Sequence, residues 1–143
     1  FDVVLKRLFF HPGTRSGTGT YGFIGNTVYQ IHQLLIAEGQ VVQGRVFYLG
    51  DSPPNNLSEW ANEIAEIAGL RRVKTIPYWI LKVVASVGDV LRLLRIPFPL
   101  TSFRLGNMTT DNIVDLSSTK KLVPNQPYSR RKGIEDTINW LRG

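Results

Sequence analysis

The chain has 143 residues, 43% of them hydrophobic, which is enough for one globular domain with a real core. It has no cysteine and only two distant histidines, His11 and His32, which excludes a disulfide framework and a thiolate metal site, and no metal ligands are assigned. Seventeen Lys and Arg against eleven Asp and Glu give a net charge of +6, favouring anionic partners, with the charges scattered rather than gathered in one run.

Residues 1–10 (FDVVLKRLFF) are apolar around Lys6 and Arg7 and fit either helix or strand. They carry no signal-peptide pattern, and from the Phe1 start we expect a piece of a longer protein. Residues 11–19 are dense in Gly and polar side chains and predict a loop, followed by a short strand over 21–24. Asn26 is placed to cap a helix reaching Ala37, with Val28, Ile31 and Leu35 as its core stripe and Gln30 and Gln33 facing away. After a polar connection over 38–44, Val46, Phe47, Tyr48 and Leu49 predict a buried strand. It leads through Gly-Asp-Ser-Pro-Pro-Asn-Asn into a helix capped by Asn56 and stopped at Gly69. Leu57, Trp60, Ala61, Ile64 and Ala68 form its apolar stripe, and Glu59 completes a capping-box pattern.

Residues 73–76 predict a strand closed by Pro77. The longest periodic segment follows over 78–95, with Ile80, Val83, Val84, Val87, Val90, Leu91 and Leu94 as a helical seam and Lys82, Ser86, Asp89 and Arg92 opposite. Charges spread through its length argue against a membrane span, and its weakly basic polar face leaves an interfacial helix as the lesser alternative. Residues 96–107 begin as a Pro-punctuated loop with a helical turn after Thr101. A fourth strand is expected over 113–116 and a short helix over 118–122. Ser129 is placed to cap a terminal helix with Ile134, Ile138 and Leu141 on one face.

Three patterns invite a chemical reading. Residues 17–22 (GTGTYG) match the dinucleotide-binding glycine spacing, but that motif needs a strand before it and a helix opening at its third Gly; here a His-Pro-Gly loop precedes and a strand is expected to follow. Tyr-x-x-x-Lys, which on a helix lets an ammonium lower a phenol pKa, occurs at Tyr78/Lys82 and Tyr128/Lys132. Two matches in so short a chain show how cheap the pattern is, and no catalytic residue is assigned. Arg104 stands in an apolar-flanked segment, where its fixed donors suit a phosphate or a nearby carbonyl equally. Arg130, Arg131 and Lys132 are read as a solvated charge run.

The order of elements carries a resemblance. Tyr21-Gly-Phe-Ile-Gly-Asn26 before a helix, Val46-Phe-Tyr-Leu-Gly-Asp51 with Leu57-Ser-Glu-Trp60, Pro97-Phe-Pro-Leu-Thr-Ser-Phe-Arg104, Thr110-Asp111 through Asp115 with Ser-Ser-Thr-Lys-Lys, and Gly133 through Arg142 together resemble the C-terminal part of an extended short-chain dehydrogenase of the NAD-dependent epimerase/dehydratase family. The resemblance covers nearly the whole chain and implies a parent enzyme that binds NAD on an N-terminal Rossmann half and alters a nucleotide-sugar. That half, with the genuine glycine fingerprint and the catalytic Tyr-Lys pair, lies outside this segment. A family arginine that contacts the substrate diphosphate, two residues before an aromatic that is Tyr21 here, falls at Gly19, so its role is lost or passes to Arg15. A second, in an Arg-x-Gly-Asp context, corresponds to Arg104, with Asn107 in place of the Asp.

The resemblance therefore implies an α/β fold of helices with a few short strands, with residues 1–45 rejoining the Rossmann core and 46–143 forming the C-terminal substrate-binding subdomain. The implied binding residues are Arg104, Asn107, Tyr21 and Arg15, the implied ligand is a nucleotide-diphosphate sugar, and the location is the cytoplasm. The parent uses NAD, while this chain alone is expected to bind no cofactor and to be inactive. Expected partners are the absent Rossmann half and a second copy in a homodimer, with no nucleic acid and no membrane span. The competing reading is a non-catalytic anion-binding or protein-interaction module.

Overall fold

Asn56 precedes the best-marked helix of the chain, and its side-chain oxygen accepts from the backbone N–H groups of Ser58 and Glu59, satisfying two of the donors that a helix start leaves open. In the computed structural model, which describes residues 1–143, the elements run α1 (Asp2–Leu5), β1 (Phe10–Pro12), β2 (Thr18–Gly19), α2 (Ile24–Ile36), α3 (Gly39–Val42), β3 (Asn55–Asn56), α4 (Leu57–Ile67), β4 (Lys74–Ile76), α5 (Tyr78–Leu93), α6 (Ser102–Thr109), α7 (Ser117–Leu122) and α8 (Arg130–Arg142). The fold is mixed α/β, mostly helical with few short strands. No helix is long and apolar enough to cross a membrane. The chain divides into two compact units, the first made of Phe1–Thr18 and Asn56–Asn112, the second of Gly19–Asn55 and Ile113–Gly143.

In the first unit β1 and β4 run parallel, with His11 opposite Thr75. Part of the segment expected as a loop is thus strand, because Lys74–Ile76 offers it a ladder. Leu81 and Ala85 of α5 meet Leu100 and Leu105 in the core, with Phe10, Ile76 and Phe98 packed around them. The seam expected for α5 is therefore rotated. Leu81, Ala85 and Gly88 face inward, and Val83, Val87, Val90 and Leu94 face solvent. Gly88 is what lets the segment after α5 fold back onto the helix, since a Cβ there would overlap the Leu100 carbonyl.

Helix α4 stops as expected. Gly69 takes φ +72°, its N–H donates to the Glu66 carbonyl (3.0 Å), and the Leu70 N–H donates to the Ala65 carbonyl (2.8 Å). Ser16 reinforces the other end, its hydroxyl donating to Asn56 Oδ1 (2.9 Å) and accepting from the Ser58 N–H (3.0 Å). Asn56→Ala should cost about 1–2 kcal/mol in urea unfolding, the upper end of a cap's contribution because Ser16 loses its acceptor as well. An unchanged unfolding midpoint would show the cap to be idle.

The second unit departs most from expectation. Residues 21–24, 46–49 and 113–116 join no ladder, so the three strands expected there are absent. Helix α2 starts at Ile24 with Phe23 at its N-cap, so Asn26 is no cap. It lies in the first turn and is 1% exposed. Gln30, expected to face away, is 3% exposed, while Val28, Ile31 and Leu35 of the expected core stripe are exposed. The buried amides explain the inversion. Gln30 Nε2 donates to the Gly50 carbonyl (2.8 Å) and Gln30 Oε1 accepts from the Gly50 N–H (3.1 Å), a two-point grip on the segment after Leu49. Thr119 of α7 donates to the Tyr48 carbonyl (2.6 Å) on the same segment. Ile134 and Ile138 of α8 are buried as expected, Leu141 of the same expected face is exposed in the last turn, and Ser129 caps that helix through the Lys132 N–H (3.2 Å).

Candidate anion-binding site

Pro97 and Pro99 remove two backbone donors and restrict the chain after α5, so the segment turns sharply instead of continuing the helix. Leu100 enters the core, and α6 starts immediately, with Thr101 Oγ1 accepting from the Arg104 N–H (3.3 Å) and Asp89 Oδ1 accepting from the Ser102 N–H (3.1 Å). Between the end of α5 and the start of α6 lies an open cavity of about 720 Å³. Arg92 and Arg104 line it together with Ile96, Phe98, Phe103 and the two prolines.

Arg104 Nη1 donates to the Pro99 carbonyl (2.7 Å). Both sequence readings of this residue thus meet at one place. The carbonyl orients the guanidinium, and one donor of five is spent, leaving others for a ligand. Two guanidinium groups beside apolar and aromatic walls can hold an anion attached to a planar or apolar body. Arg92 was counted with the polar face of α5; its signal in the sequence was its position just before an Ile-Pro-Phe-Pro turn that leads back to a second arginine.

The other expected binding residues stand apart from the cavity lining. Asn107 lies three residues beyond Arg104 on α6 and is exposed. Arg15, in the same unit, stacks its guanidinium over the Tyr78 ring at 4.1 Å. Tyr21 belongs to the second unit, where its carbonyl accepts from the Asp51 N–H (2.6 Å).

The remaining motifs have structural employment. Gly17 is buried, its N–H donating to the Met108 carbonyl (2.9 Å) and its carbonyl accepting from the Leu57 N–H (3.0 Å), and a Cβ would meet the Thr110 carbonyl oxygen at 2.5 Å. At the start of α2 the place a phosphate would take is occupied by a carboxylate: Asp51 accepts from the Phe23 N–H (2.9 Å) and from Asn26 Nδ2 (2.9 Å). Tyr128 packs edge-on against Phe23, and Lys132 donates to Asp136 (2.7 Å), a bond that raises the lysine pKa above its ordinary value. Arg131 pairs with Glu135 (3.4 Å) and Arg130 donates to Asn55 Oδ1 (3.3 Å), so the basic start of α8 is answered by its own neighbours.

No protein-family model and no curated protein matches the chain. Its fold is similar to that of gox2253, known from a crystal structure, with a TM-score of 0.61 over 98% of this chain at 17% sequence identity. The chain spans 41% of the gox2253 chain. At that identity the likeness is one of fold: this mixed α/β arrangement recurs within a chain more than twice as long.

Proposed function

We propose that the chain is the substrate-binding portion of a cytoplasmic, NAD-dependent nucleotide-sugar epimerase or dehydratase built on a Rossmann-type extended short-chain dehydrogenase. The cavity between Arg92 and Arg104 carries the substrate side of this reading, because a diphosphate needs more than one cation and a nucleoside needs an apolar wall. Asn107, Arg15 and Tyr21 are the further binding residues that the family resemblance supplies. NAD binds the partner half, and the catalytic Tyr-Lys pair comes from there.

The second unit supports the need for such a half. Ile24, Val28, Ile31 and Leu35 recur at i, i+4, i+7 and i+11 along α2 and are all exposed, and residues 46–49, which lead to the Gly50 held by Gln30 on the other side of the helix, have no ladder partner. A sheet edge with its flanking layer answers both.

Isothermal titration with a nucleoside diphosphate sugar is expected to show binding that Arg104→Ala weakens about tenfold or more, the loss of a charge-assisted phosphate contact. Titration of the same chain with NAD is expected to show no heat. Micromolar affinity for NAD, or sugar-nucleotide binding indifferent to Arg104, would sink the proposal.

A further inference from the structure

Read along the sequence the charges look scattered, yet their excess is local. Between Leu70 and Thr110 there are seven basic residues and one acidic residue, Asp89, so this segment alone carries the whole chain's surplus of +6. Asp89 is tied to the start of α6 through the Ser102 N–H, while Lys82, Arg92, Arg95 and Arg104 are exposed.

Helix α5 crosses this segment with an apolar face turned to solvent, interrupted at its middle by Ser86, whose hydroxyl donates to the Lys82 carbonyl (3.0 Å). Trp79, Val83, Val87, Val90, Leu93 and Leu94 follow helical spacing on the side opposite Leu81, Ala85 and Gly88, with Val83 60% and Leu94 65% exposed. Over 16 residues the face is roughly 24 Å long. Lys82 lies along one flank and Arg95 follows the last turn, while Arg92, at the spacing of Ala85 and Gly88, lies on the inner side with the cavity.

Arg95 adds an independent sign. The end of α5 repeats the hydrogen bonds of the α4 stop, Arg95 N–H to the Arg92 carbonyl (3.0 Å) and Ile96 N–H to the Leu91 carbonyl (2.9 Å). Where α4 uses Gly69, α5 places Arg95 at φ +60°, a conformation that favours glycine. The charge is kept at a position where it costs stability.

We propose that the first unit docks on an anionic lipid surface through the outer face of α5, lying in the interface plane without crossing the bilayer. An apolar helical face with a Trp at one end and cations at its flank and far end is the chemistry that buries in the acyl boundary while paying out charge to acidic headgroups. A second copy is the poorer occupant, since pairing this face with itself sets Lys82 and Arg95 against a surface of the same sign. The inference does not depend on the nucleotide-sugar reading.

Co-sedimentation of the 143-residue chain with vesicles of phosphatidylcholine, with and without phosphatidylglycerol, tests it. Binding is expected only with phosphatidylglycerol, weakening as salt is raised. The double variant Val83→Ser with Leu94→Ser changes exposed positions only and should abolish binding. Arg95→Gly should weaken it about fivefold, the contribution of one basic residue near such a surface, while making the fold more stable. Absence of binding to the anionic vesicles overturns the proposal, as does binding unchanged in the double variant. So does a concentration-dependent dimer in sedimentation velocity that the double variant dissolves while vesicle binding persists.

Discussion

Asn26→Ala is expected to destabilise the protein by about 3 kcal/mol, lowering the melting temperature by roughly 10 °C. The side chain is 1% exposed and makes three hydrogen bonds: Nδ2 donates to Asp51 Oδ1 (2.9 Å) and to the Tyr128 carbonyl (2.9 Å), and Oδ1 accepts from the Tyr128 N–H (3.0 Å). Alanine leaves both backbone groups of Tyr128 without these bonds and removes a donor from a carboxylate. Each such loss costs about 1–3 kcal/mol when the group stays out of water. Asn26→Asp keeps the shape, loses both donor bonds and sets a second carboxylate against Asp51, so it should be at least as severe. Thermal unfolding of the two variants decides the matter, and a tolerated aspartate would show that the junction of α2, Asp51 and Tyr128 is looser than its geometry.

The second large effect is Gly88→Ala. In an open helix the change adds about 1 kcal/mol of stability through propensity. At this position the new methyl overlaps the Leu100 carbonyl oxygen and comes within 2.7 Å of a Phe98 ring carbon, and backbone cannot swing aside as a side chain does. We expect a net loss of about 3 kcal/mol, with α6 and the Arg92–Arg104 cavity disturbed together. Gly106, inside α6 with nothing near its missing Cβ, is the internal control. Gly106→Ala should stabilise by about 1 kcal/mol, so one substitution should act with opposite sign at two helical positions, as read by urea unfolding.

Local signals proved legible wherever the chain supplies its own partner. Asn56 and Gly69 bound α4, Ser129 caps α8, and Lys74–Ile76 forms a strand because Phe10–Pro12 offers a parallel ladder. Orientation was legible in α4 and α8 and not in α2 and α5. Periodicity identifies an apolar face but is silent on whether the covering layer lies within the same chain; in α2 and α5 that face looks outward, and Gln30 or Ala85 fills the inner side. The same cause removes the strands expected over 46–49 and 113–116, whose sequences suit a sheet that no other segment of this chain completes. For the site, Arg104 was legible as a phosphate or carbonyl ligand, and the Pro99 bond gives it its orientation. Arg92 was hidden because a helical wheel assigns it to solvent, and only the fold-back after Pro97 brings it to the same cavity.

The way the first unit closes around residues 16–17 and 56–57 has a consequence for how the chain is built. Ser16 Oγ meets Asn56 Oδ1 at 2.9 Å, and the Gly17 carbonyl accepts from the Leu57 N–H at 3.0 Å, so the two points where this unit is interrupted in sequence are already stitched together in space. Residues 19–55 therefore leave and re-enter the first unit at one closed base, and they fold together with residues 113–143 as the second unit. Length changes within 19–55 are thereby insulated from the folding of the first unit, and their cost falls on the second, whose Asn26 and Gly50 are held by Tyr128 and Gln126.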